Sequence, residues 1–370
     1  MKDDKISRTQ LMALLWAGVM APAAELLPGL LLLGAGKGAW LAVVLAAPLV
    51  LVAGWLLGSL AGRDGLARSV TGLLGRWLGG GVLLLYIIWG LFLFSLRLRL
   101  CAQRLLASGE RDGALWFFLL SVAAVLLWMG RGKLAAFARA GQLFLTALLL
   151  TAGVVLGLSL FQARPERLLP LWWSEAGPVL RAALSAAGVI GWGLFLPFLM
   201  GDVRDQGENK NWHWLFWGLG GALLLSAAQA VILGNLGAAL AARLDNPFFA
   251  LAKSVGVEGA FPRVEGVVTA LWTFAALTMG GVLVFALRAM TAELLPPKAL
   301  PWISWTAVVL GTAGALVLFP AAGTAELWNR RLVPAGNLAL GVLLPALLWV
   351  GERLFRRKGK NSISCMRKPA

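Results

Sequence analysis

The chain has 370 residues, 59% of them hydrophobic and only 14% charged, with a net charge of +16 at pH 7. A soluble domain carries about 25% charged residues, so a soluble fold is excluded, and the basic excess reads as topology signals beside helix ends rather than a nucleic-acid surface. One histidine, His213, excludes a multi-histidine metal or haem site, and two separated cysteines, Cys101 and Cys365, support neither a disulfide framework nor a metal cluster, so no cofactor is expected.

Met1–Gln10 is polar, and the run after it is too long and too interrupted for a signal-peptide core, so no cleavable leader is expected. Apolar runs near bilayer length then recur. They predict ten spans: Leu11–Leu33, Ala39–Leu60, Gly80–Leu96, Ala114–Met129, Ala140–Phe161, Ala182–Met200, Trp212–Leu236, Val264–Leu287, Pro301–Leu318 and Val333–Val350. Between the fifth and sixth, Gln162–Arg181 holds Trp172 and Trp173 among charges and reads as an interfacial piece. The basic residues, weighted by the tail 351–370, place both termini in the cytoplasm.

Two runs carry helix breakers at matching places. The first has Pro22, Glu25, Pro28 and Gly29; the sixth has Gly188, Gly191, Gly193 and Pro197. Broken backbone survives in a membrane only inside protein or beside a cavity, and paired breaks mark the ligand site of inverted-repeat transporters. Ten spans divide as five plus five, residues 1–161 and 182–350, within one transmembrane domain, 1–370. An odd number of spans per half inverts one half relative to the other. The predicted fold is therefore an all-α integral membrane protein of the amino acid–polyamine–organocation (LeuT-like) architecture, with broken first and sixth helices.

The opening Ile6-Ser7-Arg8-Thr9-Gln10-Leu11, then Leu27-Pro28, then Ala35-Gly36-Lys37-Gly38-Ala39-Trp40, resembles the start of the spore germination receptor B-subunit (GerAB-like) permeases. A second block is similar to that family: Asn246-Pro247-Phe248-Phe249, Val255-Gly256-Val257, Arg263-Val264-Glu265 and Trp272. The resemblance implies a nutrient-sensing membrane subunit, in the spore inner membrane or cell membrane, that works with A-type and lipoprotein C-type subunits. It implies an amino acid or similar small nutrient as ligand. Family members commonly carry a glutamate before the Leu-Pro of the sixth helix, whereas here Gly191-Trp192-Gly193 precede Leu196-Pro197.

A zwitterionic ligand needs donors and acceptors, and a broken helix frees both. Candidate binding residues are Ala21, Pro22, Ala24 and Glu25 in the first break and Gly188, Gly191 and Gly193 in the second. Tyr86, Thr269 and Thr273 are candidates from the third and eighth spans, with Trp89 and Trp272 beside them. Glu25 is a mid-membrane carboxylate, a functional group by default; it either meets a ligand ammonium or a proton, or pairs with an arginine. Gln142, Gln229 and Asn235 read as interhelical hydrogen-bond glue, Arg97 and Arg99 as snorkelling to the interface, and Arg263 with Glu265 as a structural ion pair. No enzyme motif appears. Two other readings share this sequence: a proton- or sodium-coupled amino acid transporter, and a structural subunit with a vestigial pocket.

Overall fold

The computed structural model describes residues 4–108, 114–169, 173–204, 210–244, 246–254 and 264–353. Among these the chain is helical, with one isolated parallel bridge from Ile6 to Val203. Helix α1 (Arg8–Ala35) starts on a capping box. Ser7 Oγ accepts from the Gln10 amide at 3.1 Å, and Gln10 Oε1 accepts from the Ser7 amide at 2.9 Å, which satisfies two orphan donors reciprocally. Just before it, the Ile6 amide donates to Asp202 O at 2.9 Å and the Arg204 amide donates to Ile6 O at 2.8 Å. The N-terminus is thereby pinned to the end of the sixth span.

The break expected in the first helix does not occur: α1 runs unbroken through Pro22 and Pro28. Each proline still deprives the carbonyl four residues earlier, at Gly18 and Ala24, of its helical donor. Enclosure by neighbours makes this tolerable, since α1 packs on α5 (Leu134–Leu160), α6 (Ala176–Ile190) and α10 (Val264–Leu294). A 3₁₀ turn, Gly36–Gly38, leads into α2 (Ala39–Ala61), and Gly36 there takes φ 52°, which glycine adopts without steric cost.

Helix α3 (Leu66–Ser108) exceeds its expected span at both ends. Gly75, at φ 75° and ψ 174°, turns the chain sharply. A Cβ on Gly79 would lie 2.7 Å from Thr71 Cα, so residues 66–74 fold against the start of the long helix. Beyond Leu96 the helix continues and carries Arg97, Arg99 and Arg104 with it.

Helix α4 (Leu115–Arg131) and α5 complete the first half, and α7 (Lys210–Leu236) follows the sixth span. The short helices α8 (Ala238–Ala241) and α9 (Pro247–Ser254) precede α10. Helix α11 (Leu300–Val317) and α12 (Ala322–Leu338) close the fold, α12 passing into a π turn, Ala339–Leu343. Among the described residues, eight segments are long and apolar enough to cross a membrane. The first, Pro22–Ala61, joins the end of α1 to α2, and α4 is a shorter apolar helix. The protein is a multi-pass membrane protein. Tail residues 354–370 and the Trp172 position lie outside the described residues.

The sixth span does change its winding. Helix α6 gives way at Gly191 to a 3₁₀ segment, Gly191–Asp202, that contains Pro197. Runs of 3₁₀ helix longer than three or four residues are uncommon and mark strain or a hinge. At this switch α6 crosses α12 so closely that a Cβ on Gly188 would overlap the Pro334 backbone. Asn337 joins three helices there: its Nδ2 donates to Gly188 O at 2.9 Å, and its Oδ1 accepts from Trp89 Nε1 at 3.0 Å. Asn337→Ala would orphan the buried Gly188 carbonyl, at about 1–3 kcal/mol, and take the partner from the half-buried Trp89 N–H. We expect a markedly lower melting temperature for the purified variant in detergent; an unchanged one would show that Asn337 is no strut.

Candidate functional site

Glu25 is the polar centre of the bundle. It lies 17 residues into α1 from Arg8, or ~26 Å at 1.5 Å per residue, and is 7% exposed. Arg97 Nη1 donates to its Oε2 at 2.9 Å, and Trp272 Nε1 donates to its Oε1 at 2.7 Å. Arg104 Nη1 also pairs with Oε1. The carboxylate is thus paired with two arginines and an indole from α3 and α10, and is not offered to a ligand ammonium in this conformation.

Arg97 and Arg99 therefore do not snorkel. They are 2% and 6% exposed. Arg99 Nη2 donates to Pro320 O at 3.0 Å, and the Arg97 guanidinium lies 4.9 Å from the centre of the Trp192 ring. That contact links the ion pair to the 3₁₀ segment of the sixth span. A cation over an indole face is attracted by the ring quadrupole. Arg104 faces the Trp272 ring in the same way, at 5.6 Å.

Two apolar cavities flank α1. One, of about 90 Å³, lies between the N-terminal half of α1, α2, the α6 switch, α7 and α12. Its wall includes Met12, Leu15, Trp16, Val19, Ala187, Gly191, Gly193, Trp214 and Asn337. Trp16 is 6% exposed, and its indole N–H has no partner among the described residues. The other, of about 60 Å³, lies beside the C-terminal half of α1, against α5, α7, α9 and α10.

The candidate residues scatter over these features. Gly191 and Gly193 line the larger cavity, and Ala24 lines the smaller. Pro22 is buried but lines neither. Gly188 packs on Pro334 instead of facing a ligand. Tyr86 donates to Leu340 O at 2.7 Å, inside the π turn of α12, so its hydroxyl serves the helix irregularity. Trp89 is committed to Asn337. Thr273 is half-buried and lines neither cavity, while Trp272 lines the smaller. The side chains of Ala21, Thr269, Glu265 and His213, and all of Arg263, lie outside the described residues.

The amide residues divide too. Gln10 Nε2 donates to Gln142 Oε1 at 3.3 Å, and Asn235 Nδ2 donates to Ser159 O at 3.0 Å, both across helices. Gln229 departs from its expected role: its Oε1 is buried without a partner among the described residues, and the residue lines the smaller cavity. Sequence reasoning missed Arg104, Trp192 and Asn337. Only the spacing of Arg97 and Arg104, two helical turns apart and so on one face, carried a signal.

The opening motif pins and caps α1, and Asn246 caps α9 by accepting from the Phe249 amide at 3.2 Å. A family model described as spore germination protein matches residues 5–321. The chain belongs to that family of spore germination permeases. No curated protein matches it. In this permease the motif that suggested the family, Ile6 to Leu11, is the segment that ties α1 to the end of the sixth span.

Trp272→Phe removes one donor from Glu25 and keeps an aromatic ring in place. A hydrogen bond to a charged group is worth about 1.5–3 kcal/mol. The variant should melt well below the parent protein; an equal melting temperature would mean that the indole is not part of the ion-pair knot.

Proposed function

We propose that this spore germination permease is the membrane subunit of a germinant receptor that holds a small nutrient, such as an apolar amino acid, between α1 and the α6 switch. The observation that carries the reading is the larger cavity. Its walls are apolar, it abuts the span that passes from α to 3₁₀ winding, and Trp16, whose indole N–H has no partner among the described residues, stands in its wall. An aliphatic side chain would fill the apolar space, and a carboxylate would take the indole donor. Binding pockets commonly combine an apolar wall with a few polar groups. A ligand here changes signalling only by favouring one arrangement of the switch over another.

We further read the bundle as ten spans in two inverted halves. The packing supports it. With α1–α5 matched to α6, α7, α10, α11 and α12, the pairs α1·α6, α2·α7, α3·α10 and α4·α11 map onto themselves. Likewise α1·α5 maps to α6·α12, α3·α4 to α10·α11, and α3·α11 to α10·α4. A-type and C-type partner subunits, cytoplasmic termini and the spore inner membrane follow from the family resemblance and the basic residues.

The test is ligand-dependent melting, since a bound ligand stabilises by mass action. An amino acid germinant should raise the melting temperature of the purified protein. Ala187→Leu, which fills the cavity, and Trp16→Phe, which removes the donor, should abolish that rise. No stabilisation by any amino acid, or full stabilisation of both variants, would contradict the reading.

A further inference from the structure

We propose that the smaller cavity is a second ligand site, for a small apolar molecule with one neutral hydrogen-bond-donating head, an alcohol. The cavity holds about 60 Å³. One water needs roughly 10–15 Å³ of such space, so the cavity suits a molecule of about five heavy atoms. Its body is set by Met20, Phe248, Trp272 and Ala275, which make an apolar, partly aromatic wall. The Phe248 and Trp272 rings pack 5.6 Å apart.

The donor requirement comes from two acceptors. Gln229 is 2% exposed, and its Oε1 has no partner among the described residues. A buried acceptor left empty costs about 1–3 kcal/mol. Ala24 also lines the cavity, and Pro28 cannot give its carbonyl the usual helical N–H. A donor head satisfies either group, whereas a purely apolar occupant satisfies neither. The site is separate from the cavity at the α6 switch, since no residue lines both. Trp272 belongs to this cavity and also donates to Glu25. An occupant that moves this ring therefore acts directly on the buried ion pair.

The experiment uses the full chain in nanodiscs, labelled with ¹³C at the methionine methyls. Met20 reports this cavity and Met12 the other; Met20→Leu and Met12→Leu assign their signals. The probes are isobutanol and 2-butanol, against 1-chloro-2-methylpropane, which has a similar body and no donor. Both donor probes should shift the Met20 methyl saturably and leave Met12 in place, and the chloride should bind about tenfold more weakly, as the loss of one hydrogen bond implies. Gln229→Leu should erase that preference, and Ala275→Leu, which fills the space, should erase the shift. Linear shifts at both methionines, which indicate partitioning into lipid, would overturn the proposal. So would equal affinity for the chloride, or no shift at Met20. A silent Met12 with a responding Met20 leaves the nutrient reading to its own test.

Discussion

The buried pairing of Glu25 with Arg97 and Arg104 is the constraint on which the rest depends. Charges in hydrocarbon are tolerated when they pair with one another, and here the pairing carries the site even though Arg97 Nε and Nη2 have no partner among the described residues. Here one carboxylate ties α1 to α3 directly and to α10 through the Trp272 indole. It does so between Pro22 and Pro28, where α1 has lost two backbone hydrogen bonds. The side chain thus anchors the part of the helix with the weakest backbone. Through Arg97 and Trp192 the same knot reaches the first turn of the 3₁₀ segment.

The two lead helices are consequently unlike. One is continuous and anchored by charge. The other changes its winding at Gly191 and, apart from the Arg97 guanidinium over Trp192, is held by neutral contacts: the Asn337 amide, the Gly188–Pro334 crossing, and the Ile6–Val203 bridge at its far end. Neutral hydrogen bonds are weaker than charge-assisted ones. In the proposed receptor, a rearrangement driven by a ligand would belong in α6, with α1 as the fixed wall. Movement of α6 would be felt by α12, whose Pro334 and π turn accommodate it and whose Leu340 carbonyl is held by Tyr86.

Much of this was legible in the sequence. Apolar run length located most of the helices, while the capping box of Ser7 and Gln10, a local signal for the start of α1, went unread. The glycines and proline around Gly191 pointed to a broken helix, where the structure keeps the span helical and changes its winding to 3₁₀. What was not legible depended on partners distant in the chain. Pro22 and Pro28 look the same whether a helix breaks or is enclosed by its neighbours, and only packing decides. Arg97 looks like a snorkelling residue until α3 is seen to run on to Ser108 and bring it level with Glu25. Gln229 reads as interhelical glue, yet its acceptor meets no donor among the described residues. Asn337 carries no motif at all, and its role arises from where two helices cross.

The central claim is tested most directly by a double-mutant cycle on thermal unfolding with Glu25→Gln, Arg97→Gln and the pair together. Removing one partner of a buried pair leaves an uncompensated charge, at about 3–5 kcal/mol; Glu25→Gln strands both Arg97 and Arg104, whereas adding Arg97→Gln leaves Arg104 alone stranded. The account predicts that the double variant is more stable than Glu25→Gln alone, with strong coupling between the sites. Additive losses would contradict it.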